Sequence, residues 1–196
     1  HGVFTFPGHS YSPGVQQQVA GEEQGALAVA SDGLRRHGIA PRVISGGSTP
    51  TAATTPAGTM NEIRPGVYVF GDAQQWELGT VDPADIALTC LASVVSLAGG
   101  NVVLDSGSKI LGADRPVWAT GHGRLLDHPD ATITQLSEHH AVVAWPPDTT
   151  RPGIGDRVRA VPNHVCNAVN LVDELVVVEA GAVVDRWPVA ARGALT

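Results

Sequence analysis

The stretch AVPNHVCNAVN, residues 160–170, places a histidine and a cysteine two positions apart. In an extended strand residues i and i+2 share a face, so this spacing predicts that His164 and Cys166 lie side by side, with Val165 facing the other way. Imidazole and thiolate together suit Zn²⁺, and two protein ligands leave coordination positions open for water or substrate. The pair lacks the four-ligand spacing of a structural zinc site, and it equally fits a free cysteine beside a histidine at the edge of the core.

A second histidine-containing stretch, SEHHAVV at residues 137–143, offers candidates for a further metal contact or for a group that orients a ligand. The candidates are Glu138, His139 and His140. Neighbouring residues of a strand point to opposite faces, so we expect at most one of the two histidines to join such a site.

The segment SGGSTPT, residues 45–51, follows an apolar strand pattern and could bind an anion. Its two glycines allow close backbone approach, and its N–H groups and the hydroxyls of Ser48, Thr49 and Thr51 are suitable donors to a phosphate. The lysine of a Walker loop and the G-x-G-x-x-G spacing are both absent, which argues against a nucleotide-binding loop. A Gly/Ser turn without a ligand is the alternative.

Two further segments carry candidate residues. GHSY, residues 8–11, follows another predicted strand, so Tyr11 could face the same region as SGGSTPT, or it could be a half-buried loop aromatic. LDSGSKILGAD, residues 104–114, contains Lys109, the single lysine of the chain and its one amine side chain able to form a Schiff base. The usual exposure of lysine and aspartate favours a charged, solvated loop for that segment instead.

The elements that must position these residues change in character along the chain. A strand over residues 2–6, a helix over 15–37 that Gly38 ends, and a strand at Val43–Ile44 form a βαβ pattern, which predicts a parallel α/β part. After Arg64 come PGVYVFGD, NVVLDSG, HAVVAW, DRVRAV and ELVVVEAGAVVDRW, short apolar segments between turn residues that predict strands of a β-rich domain. Residues 84–98 fit either a strand or a buried helix.

The composition of the chain argues against several classes of partner. The net charge is −7 and no basic stripe is present, so we expect no nucleic-acid partner and no membrane-surface partner. With no long apolar run and no signal-peptide pattern, we expect a cytoplasmic protein, and we do not expect Cys90 and Cys166 to form a disulfide. The chain begins in mid-pattern without methionine, which we interpret as a piece of a longer protein.

Six short segments follow one another along the chain: GHSY, SGGSTPT, EIRPGVYVFGD, LDSGSKILGAD, SEHHA and GDRVRAVPNHVCNAVN. In this order and spacing the chain resembles the D-serine dehydratase and D-threonine aldolase family, which are pyridoxal-phosphate enzymes of the alanine-racemase fold type. The resemblance covers nearly all 196 residues but only the later half of that family's sequence.

The resemblance implies a fold of the α/β plus β class. Residues 1–78 would be the last part of a (β/α)₈ barrel that binds pyridoxal phosphate, and residues 79–196 a β-rich, metal-binding C-terminal domain, in a homodimer. It implies that Tyr11, Gly47, Ser48 and Thr49 contact the cofactor and its phosphate. The lysine that holds the cofactor lies upstream in the family, so Lys109 is not given that role, the catalytic residue stays unassigned, and we expect the chain alone to be inactive.

The resemblance also implies that His164 and Cys166 bind a divalent metal. H-x-C is similar to the dehydratase branch with Zn²⁺, whereas the aldolase branch carries aspartate at the second position and uses harder ions, which fits the softness of a thiolate. The expected reaction is elimination from D-serine or D-threonine to a keto acid and ammonia, with retro-aldol cleavage as the alternative. The family often has Glu-Glu-His-Gly where this chain has Glu138 to Ala141, which leaves the third metal contact open. From another class, a non-catalytic, metal-stabilised β-rich module remains an alternative.

Overall fold

The computed structural model describes residues 1–194, which form two compact units, His1–Asp85 and a second unit that begins at Ile86. The first unit is α/β and the second is mainly β, so the predicted fold class is confirmed. Among the described residues no helix combines the length and the apolar character that crossing a bilayer requires.

A three-stranded parallel sheet in the order β1-β2-β3 and one long helix form the core of the first unit. Its elements are β1 (Gly2–Phe4), α1 (Gln16–Arg36), β2 (Val43–Gly46), β3 (Glu62–Ile63) and α2 (Ala73–Glu77). Because parallel neighbours need a crossover, α1 connects β1 to β2 and buries Val19, Ala20 and Leu27. Gly38 follows the helix at φ +76°, the left-handed conformation that ends helices, so the predicted βαβ unit is confirmed.

The strand predicted over PGVYVFGD is wrong. Val67–Val69 is a turn of 3₁₀ helix, and the third strand is instead the dipeptide Glu62–Ile63 that precedes it. Pro65 cannot donate a hydrogen bond to a sheet, which removes the start of the expected strand. The segment then ends at Asp72, whose carboxylate caps α2 by accepting from the Gln75 N–H at 2.9 Å.

Six antiparallel strands close into a barrel in the second unit, in the order β4-β5-β8-β7-β6-β9. They are β4 (Cys90–Ser96), β5 (Val102–Leu104), β6 (Arg124–Leu125), β7 (Thr132–Leu136), β8 (Ala141–Ala144) and β9 (Arg157–Val161). Residues 84–98 therefore contain a strand rather than a buried helix. The sequence prediction missed β6 and β7, since β6 has only two residues and TITQL of β7 lacks a clear alternation.

Alternation along the strands fills this barrel. On β4 the side chains of Ala92 and Val94 are buried, whereas Leu91 and Val95 face solvent. The inward residues of the other strands join them in one core, whose largest fully buried members include Leu104, Leu125, Ile133 and Val143. Closure leaves no free edge inside the barrel.

Short helices and a hairpin complete the unit. They are α3 (Ser108–Leu111), α4 (Val165–Asn170), β10 (Glu174–Glu179) and β11 (Ala182–Pro188). The two-residue turn Ala180–Gly181 has positive φ at both positions, which is the geometry that matches the twist of a tight hairpin.

Two leucines of the barrel strands give a matched test of the core. Leu104→Ala removes a fully buried side chain and should lower the free energy of unfolding of this unit by about 2–5 kcal/mol. Leu91→Ala, on the outward face, should lower it by less than about 0.5 kcal/mol. Urea denaturation followed by circular dichroism measures both. Equal losses would show that Leu104 does not lie in the barrel core.

Candidate phosphate turn and metal-ligand pair

Two loops of the first unit meet through hydroxyl groups. Ser10, in the loop that follows β1, and Ser48, in the turn that follows β2, place their Oγ atoms 3.0 Å apart. Thr51 extends this contact, since its Oγ1 lies 3.1 Å from Ser48 Oγ and accepts from the Ser48 N–H at 3.0 Å. All three side chains are buried. The carboxyl ends of two neighbouring parallel strands are thus joined by a chain of hydroxyls.

A carboxylate that the sequence analysis missed lies directly behind this turn. Glu23 of α1 is 4% exposed, and its two oxygens accept from the Gly47 N–H at 2.9 and 3.0 Å. The sequence contained a signal for this carboxylate. Val19, Glu23 and Leu27 are spaced four residues apart, which places an acid within the buried stripe of the helix.

Packing requires the two glycines of the turn. A Cβ on Gly46 would lie 2.5 Å from Met60 Sδ and 2.6 Å from Glu23 Oε1, and Gly47 has φ +78°. The glycines are therefore explained by the approach of α1 and by a left-handed backbone, without invoking a ligand.

The turn still has groups suited to an anion. No hydrogen bond from the Thr49 N–H is found within residues 1–194, and Ser48 and Thr49 each carry a hydroxyl. Thr49 Oγ1 already accepts from the Tyr68 N–H at 3.2 Å. Tyr11 is half-buried after the 3₁₀ turn Gly8–Ser10, with its ring 6.4 Å from that of Phe6. The donor set fits a phosphate at Ser48 and Thr49, while the Gly47 N–H is occupied by Glu23.

His164 and Cys166 do not lie on a strand, so that expectation is wrong. β9 ends at Val161, Pro162 cannot donate to a sheet, and α4 begins at Val165 with His164 as its extended N-terminal flanking residue. The burial of Val165 and Ala168, three residues apart, is the helical signal that the strand interpretation overlooked.

At the start of α4 both candidate ligands are nevertheless more exposed than the residue between them. Val165 is 2% exposed, whereas His164 is half-buried and Cys166 is exposed. An imidazole and an exposed thiol on either side of one buried residue are donors that suit Zn²⁺.

The proposed third contact is not found at this pair. Glu138, His139 and His140 lie in the exposed turn between β7 and β8, not on a strand. Lys109 pairs with Glu138 at 2.6 Å and lies 3.4 Å from His139 Nε2. In the described part of the chain no group of three or more His, Cys, Asp or Glu side chains is arranged to hold a metal ion.

The two cysteines differ in environment, and both are free. Burial, together with the nearby Asp105 carboxylate, raises the pKa of Cys90 to about 11, because both disfavour a thiolate. Cys166 is the exposed thiol.

Comparison with known proteins gives consistent results. Residues 87–178, which include both candidate ligands, match the family described as "Putative serine dehydratase domain". An uncharacterized protein of Mycobacterium tuberculosis is 58% identical over 130 residues, which are 64% of this chain and 98% of that protein. A D-threonine aldolase of an Arthrobacter species is 37% identical over 82% of this chain and 42% of the aldolase.

The fold also matches solved structures. That of D-threo-3-hydroxyaspartate dehydratase from a Delftia species superposes with a TM-score of 0.83 at 29% identity, over 95% of this chain and 55% of the dehydratase. That enzyme has also been solved as a His-to-Ala mutant and, for a cysteine two positions further on, as a Cys-to-Ala mutant in the metal-free form. The chain thus spans about half the length of the named enzymes that it matches.

Thiol labelling tests the two cysteine environments. At pH 8 a thiol with a pKa of about 11 is ionised to roughly one part in a thousand, so Cys90 should react slowly with iodoacetamide and Cys166 should react fast. Mass spectrometry should show one fast site, lost in Cys166→Ser and kept in the control Cys90→Ser. Fast labelling that disappears in Cys90→Ser instead would contradict the described burial.

Proposed function

The chain belongs to the D-serine dehydratase and D-threonine aldolase family, and from that premise we propose that it works as part of a pyridoxal-phosphate- and zinc-dependent lyase for D-amino acids that carry a β-hydroxyl. The observation that carries the proposal is the pair His164 and Cys166 at the start of α4, with Val165 buried between them. The proposed reaction is elimination from D-serine or D-threonine to a keto acid and ammonia.

The donor set supports zinc. A thiolate is a soft ligand and an imidazole a borderline one, so together they favour Zn²⁺ over Mg²⁺ or Mn²⁺. The spacing supports a metal at this pair, because the Delftia dehydratase has been altered at a histidine and at a cysteine two positions later, the latter in a metal-free form.

The roles of the chain's own residues follow from their placement. Pyridoxal phosphate, when bound, supplies an electron sink, and a divalent ion supplies a Lewis acid for the β-hydroxyl oxygen. His164 and Cys166 would hold the ion as a nitrogen and a sulfur ligand. Ser48 and Thr49 would donate to the phosphate through their hydroxyls and the Thr49 N–H, and Tyr11 would contact the cofactor from the adjoining loop.

Glu23 has a separate task in this scheme. Its carboxylate holds the Gly47 N–H and hence the left-handed turn, so the backbone before Ser48 is preorganised. The same negative charge disfavours an anion on the Gly47 side, which directs a phosphate towards Ser48 and Thr49.

A second candidate function is a non-catalytic, metal-stabilised β-rich module. The Mycobacterium tuberculosis relative favours it, because 64% of this chain matches 98% of that protein.

Titration of the chain with pyridoxal phosphate, followed by tryptophan fluorescence, separates the two candidates. Saturable binding that Ser48→Ala and Thr49→Ala weaken supports the lyase, and no binding supports the module. We also propose a homodimer, which light scattering would test.

Metal protection of the thiol tests the metal pair directly. Zn²⁺ should slow alkylation of Cys166 several-fold, because a coordinated thiolate is a poorer nucleophile. His164→Ala should abolish the protection, whereas His140→Ala, an exposed histidine outside the pair, should keep it. Equal protection of Cys166 in His164→Ala would show that His164 is not a ligand of the metal.

The branch of the family is tested by products and by ligand exchange. In the full-length enzyme we expect pyruvate from D-serine, and Cys166→Asp should shift the metal preference from Zn²⁺ towards Mn²⁺ because a carboxylate is a harder ligand. Chromatography of the products and metal analysis check both. Glycine and an aldehyde from D-threonine as the main products would assign the chain to the aldolase branch.

A further inference from the structure

Two asparagine side chains that bracket the histidine–cysteine pair converge on one aspartate. Asn163 Nδ2 donates to the Asp114 carbonyl oxygen at 2.8 Å, and Asn167 Nδ2 donates to Asp114 Oδ2 at 2.6 Å. One asparagine directly precedes His164 and the other directly follows Cys166. The backbone segment that carries both candidate ligands is therefore anchored on both sides.

The anchor at Asn163 is the buried one. This residue is 3% exposed, and its amide donates a second hydrogen bond to the Gly121 carbonyl oxygen at 2.9 Å. One side chain thus ties the residue before the pair to two points of the segment 114–121. Two carbonyl groups depend on that amide as their donor, which makes the junction between β9 and α4 costly to displace.

The anchor at Asn167 is reinforced by close packing. Gly112, just after α3, has φ +76°, and a Cβ at that position would lie 3.3 Å from Asn167 Cβ. The end of α3 therefore approaches α4 to within van der Waals contact beside the aspartate.

Helix formation alone does not explain these asparagines. The residue that flanks the N-terminus of α4 is His164, and the Asn163 amide donates to the carbonyl oxygens of Asp114 and Gly121, so Asn163 does not serve as a cap. Asparagine also has a low helix propensity, and Asn167 lies within the first turn of α4. Both amides are instead used for bonds to Asp114.

We propose that Asn163, Asn167 and Asp114 form a clamp that positions His164 and Cys166 to share one metal ion. The inference rests on the proposed function. Two ligands separated by one residue meet an ion only when the backbone dihedrals between them hold both donors towards one point. A clamp on either side of the pair orders this backbone before the ion arrives, so less conformational entropy is lost on binding. The three residues are positioning residues, since none of them is proposed to contact the ion.

Zinc affinity of the chain, measured by competition with a chromophoric chelator, tests the clamp. Asn167→Ala and Asp114→Ala should each raise the Kd for Zn²⁺ about tenfold, the lower end of the effect of groups that orient metal ligands. Asp114→Asn keeps an oxygen that can accept from Asn167 and should stay within about twofold of the wild type, as a rescue. Asn170→Ala is the matched control, because it alters an asparagine of the same helix that accepts from the Gly193 N–H at 3.1 Å instead.

A spectroscopic readout separates positioning from stability. With Co²⁺ in place of Zn²⁺, the thiolate-to-metal absorption should weaken in Asn167→Ala and Asp114→Ala and persist in Asn170→Ala, while circular dichroism shows all of them folded. The double variant Asp114→Ala/Asn167→Ala should bind no more weakly than either single one, because the two side chains form one contact. Asn163→Ala removes buried bonds and risks unfolding, so the exposed Asn167 carries the test.

Each remaining outcome has a defined meaning. Wild-type affinity in folded Asn167→Ala and Asp114→Ala, or an equal loss in Asn170→Ala, would overturn the clamp and leave the metal pair intact. A wild-type chain that binds no Zn²⁺, with Cys166 unprotected, would reject the proposed metal site itself and the clamp with it.

Discussion

The pairing of β9 with β4 on one side and β6 on the other closes the barrel and determines where the chain leaves it. Beyond Val161 the next residue is Pro162, which has no N–H for a further ladder bond, so the strand must stop. The residues that follow are therefore free to turn into α4, and Val165 packs into the core. An imidazole and a thiol therefore flank a buried valine just beyond the strand that closes the barrel.

Around this junction the side-chain amides of two asparagines attach the short helix α4 to the rest of the unit. A helix of six residues leaves most of its terminal N–H and C=O groups without helical partners, so it has little stability of its own. Tertiary contacts must supply the rest. The bonds from Asn163 and Asn167 to Asp114, and the close approach of Gly112, do so at the end of the helix where the candidate ligands lie.

In the first unit the buried Glu23 carboxylate stabilises the turn that carries the candidate phosphate donors. Burying Glu23 costs free energy unless its oxygens are bonded, and the Gly47 N–H supplies such a bond at the turn after β2. The Ser48 hydroxyl lies within hydrogen-bond distance of the hydroxyls of Ser10 and Thr51, so this end of the sheet is polar. The arrangement fixes the turn, and within residues 1–194 the Thr49 N–H has no hydrogen-bond acceptor. Each unit thus holds one candidate site that other side chains position: Glu23 in the first unit, and Asn163, Asn167 and Asp114 in the second.

Periodicity and turn chemistry were enough to predict the βαβ unit, its helix and three of the six barrel strands, β5, β8 and β9, because apolar spacing records which side chains are buried. The residue types of His164 and Cys166 were likewise enough to suggest a soft-metal pair, since ligand chemistry depends on atoms and not on fold. The local geometry of that pair, the replacement of the PGVYVFGD strand by a 3₁₀ turn, and the roles of Glu23 and of the Asn163–Asp114–Asn167 contacts came from the tertiary structure alone. These features depend on hydrogen bonds between residues 24 to 53 positions apart, and one-dimensional patterns carry no information about such partners.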